Sequence, residues 1–167
     1  MNGASLLVYD IPNNVVVNGL YRVLPRCGAR VNLSCWIIPD THLPVDLIEE
    51  MRSSGCRVHT VRFSEQEHDK VMALARESLA HEIKRVKHSF EDAILNAEKY
   101  VAEAGAHADE NPEERRSRRR RAAYGRAKRS LAAAQEAAVA FGILGDVQAL
   151  LDGIRFAVKA EFDLVMA

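Results

Sequence analysis

The sequence predicts an α+β protein in two parts, and three observations carry that reading. Residues 1–63 hold short apolar or alternating stretches separated by Pro, Gly and Asn. Residues 64–104 place apolar side chains at helical spacing with no breaker. An arginine run near residue 120 opens a further helical stretch that turns alanine-rich before a last amphipathic segment.

The elements follow in order. Residues 5–11 (SLLVYDI) make a first strand, apolar on both faces and stopped by Pro12. Asn13 or Asn14 can cap a helix from Val15 to Leu24, which Pro25 and Gly28 close. From Arg30 to Ile38 the chain alternates and then turns wholly apolar at Trp36, Ile37 and Ile38, a second strand that a bend could split in two. The loop 39–44 (PDTHLP) leads into a short helix from Asp46 to Ser53 with Leu47, Ile48 and Met51 inward, ended by Gly55. Arg57 to Phe63 alternates as a strand, with Val58, Thr60 and Arg62 on one face. Strand and helix alternating in this way fit a ferredoxin-like βαββαβ sandwich over residues 1–63.

Residues 64–167 predict a helical hairpin or three-helix bundle. Ser64 and Glu67 form a capping box. Leu79, Ile83, Val86, Phe90, Ile94, Ala97 and Val101 then recur at steps of three and four, a heptad-like seam. Gly105 and the following HADEN end this helix, and the turn at 105–112 is the expected flexible point. Asn111 caps the next helix, with Pro112 at its first position and acids in its first turn. Gly142 and Gly145 interrupt it. Val147, Leu150, Leu151, Ile154, Val158, Phe162 and Val165 line one side of the last helix.

Composition narrows the class. At 167 residues the chain can bury a real core, and 48% hydrophobic with 6% aromatic residues suits an aliphatic, helix-rich protein. No apolar run approaches the ~18 residues of a membrane span, and the N-terminus lacks a basic n-region, so neither a membrane nor a signal peptide is expected. Cys27, Cys35 and Cys56 are odd in number and lack metal-type spacing, which fits a reduced, cytoplasmic setting. Formal net charge is zero, yet between Glu113 and Arg129 nine basic residues meet two acids. That block suits a polyanion or an acidic protein face.

Short motifs resemble known families. Gly28, Arg30, Val31, Ser34 and Trp36 (within GARVNLSCW) are similar to the second-strand signature of the CRISPR-associated small endoribonuclease-like family, a ferredoxin-fold group. Val8, Tyr9, Asp10 and Ile11 resemble that family's first strand, whose terminal Asp is its proposed metal-binding acid. The stretch 35–41 (CWIIPDT), the helix after it, and 61–68 (VRFSEQEH) look like the N-terminal region of ChrB-type chromate-resistance regulators, which runs from its last strand into a long helix. The resemblance covers about half the chain. It implies the sandwich and a regulatory role. The large C-terminal domain of ChrB-type proteins has no counterpart here, and the arginine-rich helix matches neither family.

Five sets of residues are candidates for chemistry. Asp10, at a strand tip, could pair with its twin in a dimer to hold Mg²⁺ or Mn²⁺ for phosphodiester hydrolysis; otherwise it only ends the strand. Arg115, Arg116, Arg118, Arg119, Arg120, Arg121, Arg126, Lys128 and Arg129 suit phosphate contacts. Arg115, Arg118, Arg119 and Arg126 share one helical face, with Arg116 and Arg120 on a neighbouring one. The competing reading pairs the block with Glu91, Asp92, Glu98 and Glu103 across the hairpin. Glu77 with His81, and His88 with Asp92, sit at i, i+4 without a full ligand set, so no metal site is assigned. The cysteines read as buried thiols, with oxidation sensing the sharper alternative. The two apolar seams read as core or oligomer contacts.

The expectation is a non-catalytic nucleic-acid-binding homodimer with a regulatory role and no cofactor. A metal-dependent endonuclease using Asp10, and an assembly subunit docking its arginines on an acidic protein, are the alternatives.

Overall fold

The computed structural model describes residues 3–13, 15–17, 19–104 and 111–167, with side chains given except for residues 100–104. The chain divides into two compact units: Met1–Glu82 with Ala133–Gln148, and Ile83–Ala132 with Ala149–Ala167.

The first unit holds β1 (Ala4–Asp10), α1 (Leu20–Cys27), β2 (Ala29–Asn32), β3 (Cys35–Pro39), α2 (Val45–Ser53) and β4 (Arg57–Arg62). The strands form one sheet in the order β2-β3-β1-β4, with every neighbouring pair antiparallel. Order and connectivity are those of a ferredoxin-like βαββαβ sandwich. The suspected bend in the second strand is a real break: residues 33 and 34 turn the chain, and β2 and β3 pair as a hairpin with a register shift between Arg30 and Asn32. Period-two alternation sends Leu7 and Tyr9, Trp36 and Ile38, and Val58 into one core with Leu20 and Leu24 of α1 and Leu47, Ile48 and Met51 of α2.

The first helix differs from expectation. It begins at Leu20, not Val15, with Gly19 as N-cap in the left-handed region (φ 87°) rather than an asparagine. The β-branched run Val15–Val17 is poor in a helix and instead stays irregular, with Val15 and Val17 laid on the sandwich core. Pro25 lies inside the helix, and the end is set at Gly28, whose N–H bonds Leu24 O at 3.0 Å. Gly28 packs so tightly that an added Cβ would strike the Ile37 carbonyl.

Three helices contribute to both units. α3 runs His68–Ala104 and α4 runs Pro112–Ala140; α5 follows at Leu144–Met166. The capping box forms: the Glu67 carboxylate accepts from the Ser64 amide (2.9 Å) and hydroxyl (2.7 Å), which holds Glu67 below its ordinary pKa. In the first unit Val71, Ala75 and Leu79 of α3 and Ala134, Ala137 and Ala138 of α4 are buried. Arg76 pairs with Asp146 at 2.6 Å. α4 ends in a Schellman turn: Gly142 (φ 69°) bonds Val139 O and Ile143 bonds Ala138 O.

The second unit packs three helical stretches around Phe90, Ile94, Ala123, Ala127 and Val158. Tyr124 stacks on Phe162 with ring centroids 4.2 Å apart and meets Phe90 edge-on at 6.5 Å. The α3 seam is buried or half-buried from Leu79 through Ala97, as its spacing predicted; Val101 and the turn at 105–110 lie outside the described side chains and residues. Among the described residues no helix is long and apolar enough to cross a membrane.

Candidate nucleic-acid interface

The basic block sits on the first half of α4, and helix geometry divides it. The N-terminus is built as its residues dictate: Asn111 Oδ1 accepts from the Glu113 N–H at 2.9 Å, Pro112 opens the helix, and Glu113 and Glu114 complement its dipole. One turn is 3.6 residues, so positions 116, 120, 123, 127 and 131 form a single stripe. Ala123, Ala127 and Leu131 on that stripe are buried, and it carries Arg116 and Arg120 inward with them.

These two arginines are clamped. Arg116 Nε lies 2.9 Å from Glu98 Oε2, and its Nη1 is 2.8 Å from Glu113 Oε1. Arg120 donates from Nη2 (2.6 Å) and Nε (3.1 Å) to Glu98 Oε1, and from Nη1 to the Val165 carbonyl. Their side chains are only 27% and 17% exposed. One carboxylate on α3 therefore ties two guanidinium groups on α4, and Arg120 extends the tie to the end of α5. Of the acids expected to neutralise the block, Glu98 does so for these two residues.

The opposite face presents the rest. Arg118, Arg119, Arg121, Arg126, Lys128 and Arg129 are exposed and Arg115 is half-buried. Lys128 also sits 5.7 Å from the Tyr124 ring centroid. The face extends over fourteen residue steps, ~21 Å at 1.5 Å per residue. By sequence the second unit has fifteen Lys and Arg against eleven Asp and Glu, and the first unit eight against twelve.

The other candidates fall into simpler places. Asp10 is exposed at the end of β1, in register opposite Arg57 of β4. Among the described residues no three His, Cys, Asp or Glu side chains gather where they could hold a metal ion. His88 lies 3.3 Å from Glu91, at i+3, rather than pairing with Asp92. Cys27 and Cys35 have thiol pKa values raised, mainly by burial, with Glu136 adding to the rise at Cys27. A raised thiol pKa means less thiolate, the opposite of what an oxidation sensor needs.

Sequence reasoning did not find two features. One is the Val165 carbonyl as the far anchor of Arg120, which no local pattern signals. The other is a polar relay in the sandwich running from buried Ser5 to exposed Arg62, where Ser5 Oγ donates to Asp40 Oδ1 (2.6 Å) and Asp40 Oδ2 meets Arg62 Nε (2.7 Å). Comparisons with protein-family models, with curated proteins and with solved structures found no match.

Proposed function

We propose that the protein binds a nucleic-acid duplex without cleaving it, as a homodimer and in a regulatory role. The single observation that carries this reading is the outward face of α4, where six basic side chains stand exposed while Arg116 and Arg120 are turned in and neutralised. Phosphates repeat every ~3.4 Å along one strand, so a ~21 Å face can meet about six of them. Guanidinium groups suit phosphate geometry and carry no base preference on a backbone, so the affinity is salt-dependent and largely sequence-blind. Tyr124 is packed within the helical core, which favours a duplex over a base-stacking mode for single strands.

The dimer part of the reading has its own support. Phe156 and Leu164 on α5 are 76% and 78% exposed, eight residues apart and thus on neighbouring lines of the helix surface. Sedimentation of wild type and of Phe156→Ser/Leu164→Ser tests it; a dimer that the double variant disperses is the expected outcome.

Binding is tested by fluorescence anisotropy with labelled duplex DNA and duplex RNA between about 50 and 200 mM salt. A steep, sequence-independent loss of affinity with salt is expected. Absence of binding at the lowest salt would move the arginine face to an acidic protein surface. Mg²⁺-dependent cleavage abolished by Asp10→Ala would move the assignment to a nuclease.

A further inference from the structure

The outward half of α4 is not one row of charge. At ~100° per residue, four positions point directly away from the buried stripe: Arg118, Ala122, Gly125 and Arg129. Arg121 and Lys128 lie ~75° to one side of that line, and Arg115, Arg119 and Arg126 lie ~75° to the other. We infer that these two rows seat α4 in the major groove of B-form DNA, each row on the phosphates of a different strand. The inference rests on the duplex reading above and narrows it to DNA and to one groove.

The centre of this face is low. Ala122 is exposed and Gly125 half-buried, and neither carries a side chain that stands off the helix. Arg129 lies back along the same line, its Nη1 3.5 Å from where a Cβ on Gly125 would be. From Arg115 to Ser130 the helix has no acid to repel a phosphate. The rows on either side stand taller: Arg119, Arg121, Arg126 and Lys128 are exposed and Arg115 is half-buried. The far side of α4 fixes its rotation. Ala123, Ala127 and Leu131 are buried there, and Arg116 and Arg120 are tied to Glu98. All of these residues belong to the second unit.

The two rows select the ligand. Side chains ~150° apart around a helix point to opposite sides, so a single line of phosphates meets one row only. Meeting both requires phosphates on both flanks of the helix, which the two walls of a groove supply. An α-helix with its side chains is ~10–12 Å across, and the major groove of B-DNA is ~12 Å wide. The minor groove, at ~6 Å, is too narrow. Duplex RNA is A-form: its major groove is too deep and narrow for entry, and its shallow minor groove does not flank a helix on both sides. At the floor, Ala122 and Gly125 offer no side-chain hydrogen bond to a base edge, so depth in the groove adds little sequence preference.

The test is competition anisotropy of the full chain, at one salt concentration, with three duplexes of the same sequence. They are DNA, RNA, and DNA whose cytosines carry a glucosylated 5-hydroxymethyl group, which fills the major groove and leaves every phosphate in place. Unmodified DNA is expected to bind roughly tenfold or more tightly than either of the others, since each of those leaves at most one row on phosphates. Arg121→Gln with Lys128→Gln, and Arg119→Gln with Arg126→Gln, change exposed positions and should leave circular dichroism unchanged. Each pair is expected to lower the salt slope by about 0.9 per lost contact. Equal affinity for the three duplexes, or a slope that falls in only one of the two variants, would overturn the groove assignment while leaving phosphate binding in place. No duplex bound at the lowest salt would overturn the duplex reading itself, and this inference with it.

Discussion

The two sides of α4 carry the same residue type and do different work. On one side Arg116 and Arg120 lie against Glu98, with 27% and 17% of their side chains exposed, and join three helical stretches. On the other side Arg118, Arg119, Arg121, Arg126 and Arg129 face solvent. A basic run therefore does not act as a block. Each guanidinium is assigned by its angle around the helix, and a difference of two positions separates a structural clamp from an exposed side chain.

Substitutions on the buried side should cost stability before they cost anything else. Phe90→Ala, in the core of the second unit, removes the edge contact to Tyr124 and leaves a cavity. A loss of about 3–5 kcal/mol in urea unfolding is expected; a loss under about 1 kcal/mol would mean that the core is not packed as described. Arg120→Ala should cost about 1–3 kcal/mol, since Glu98 and the Val165 carbonyl both lose a donor. If that change leaves stability intact but lowers duplex affinity as much as an outer arginine does, the division of the helix into two faces is broken. In the other unit, Gly28→Ala forces a methyl against the Ile37 carbonyl of β3 and should destabilise by roughly 1–3 kcal/mol without touching duplex affinity.

The smallest effect concerns pH. Burial and the neighbouring Glu91 raise the Glu161 pKa, and Lys87 only partly opposes them. The native state then holds this proton more tightly than the unfolded chain. Stability from this group is present at acidic pH and is lost as pH rises through the raised value. Glu161→Gln should flatten that fall and raise stability at neutral pH by under ~1 kcal/mol, the group being largely solvent-screened. Thermal melts from pH 4 to 8 read the difference, and a variant less stable at neutral pH than wild type would contradict the sign.

Much of this division was legible in sequence. Period-two alternation put Val58 on one face of the last strand, and Val58 is in the core as that face predicts, and the seam from Leu79 to Ala97 fell where helical spacing put it. Spacing also separated Arg115, Arg118, Arg119 and Arg126 from Arg116 and Arg120. The start of α1 was not legible, because an asparagine cap signal preceded a β-branched run, poor in a helix, whose Val15 and Val17 pack as irregular chain over the core. Glu98 was one of several acids within reach of the basic block, and only tertiary packing chose it. The Val165 carbonyl joins segments far apart in sequence through a backbone position, which side-chain patterns do not encode.

The most direct test compares salt dependence of duplex binding in two variants: Arg118, Arg119, Arg126 and Arg129 changed to Gln, and Arg116 with Arg120 changed to Gln. The account predicts that the outer variant lowers the slope of log affinity against log salt by about 0.9 per lost phosphate contact, while the inner variant, where folded, keeps the wild-type slope. Equal slopes in wild type and the outer variant, or a slope lost only in the inner one, would contradict it.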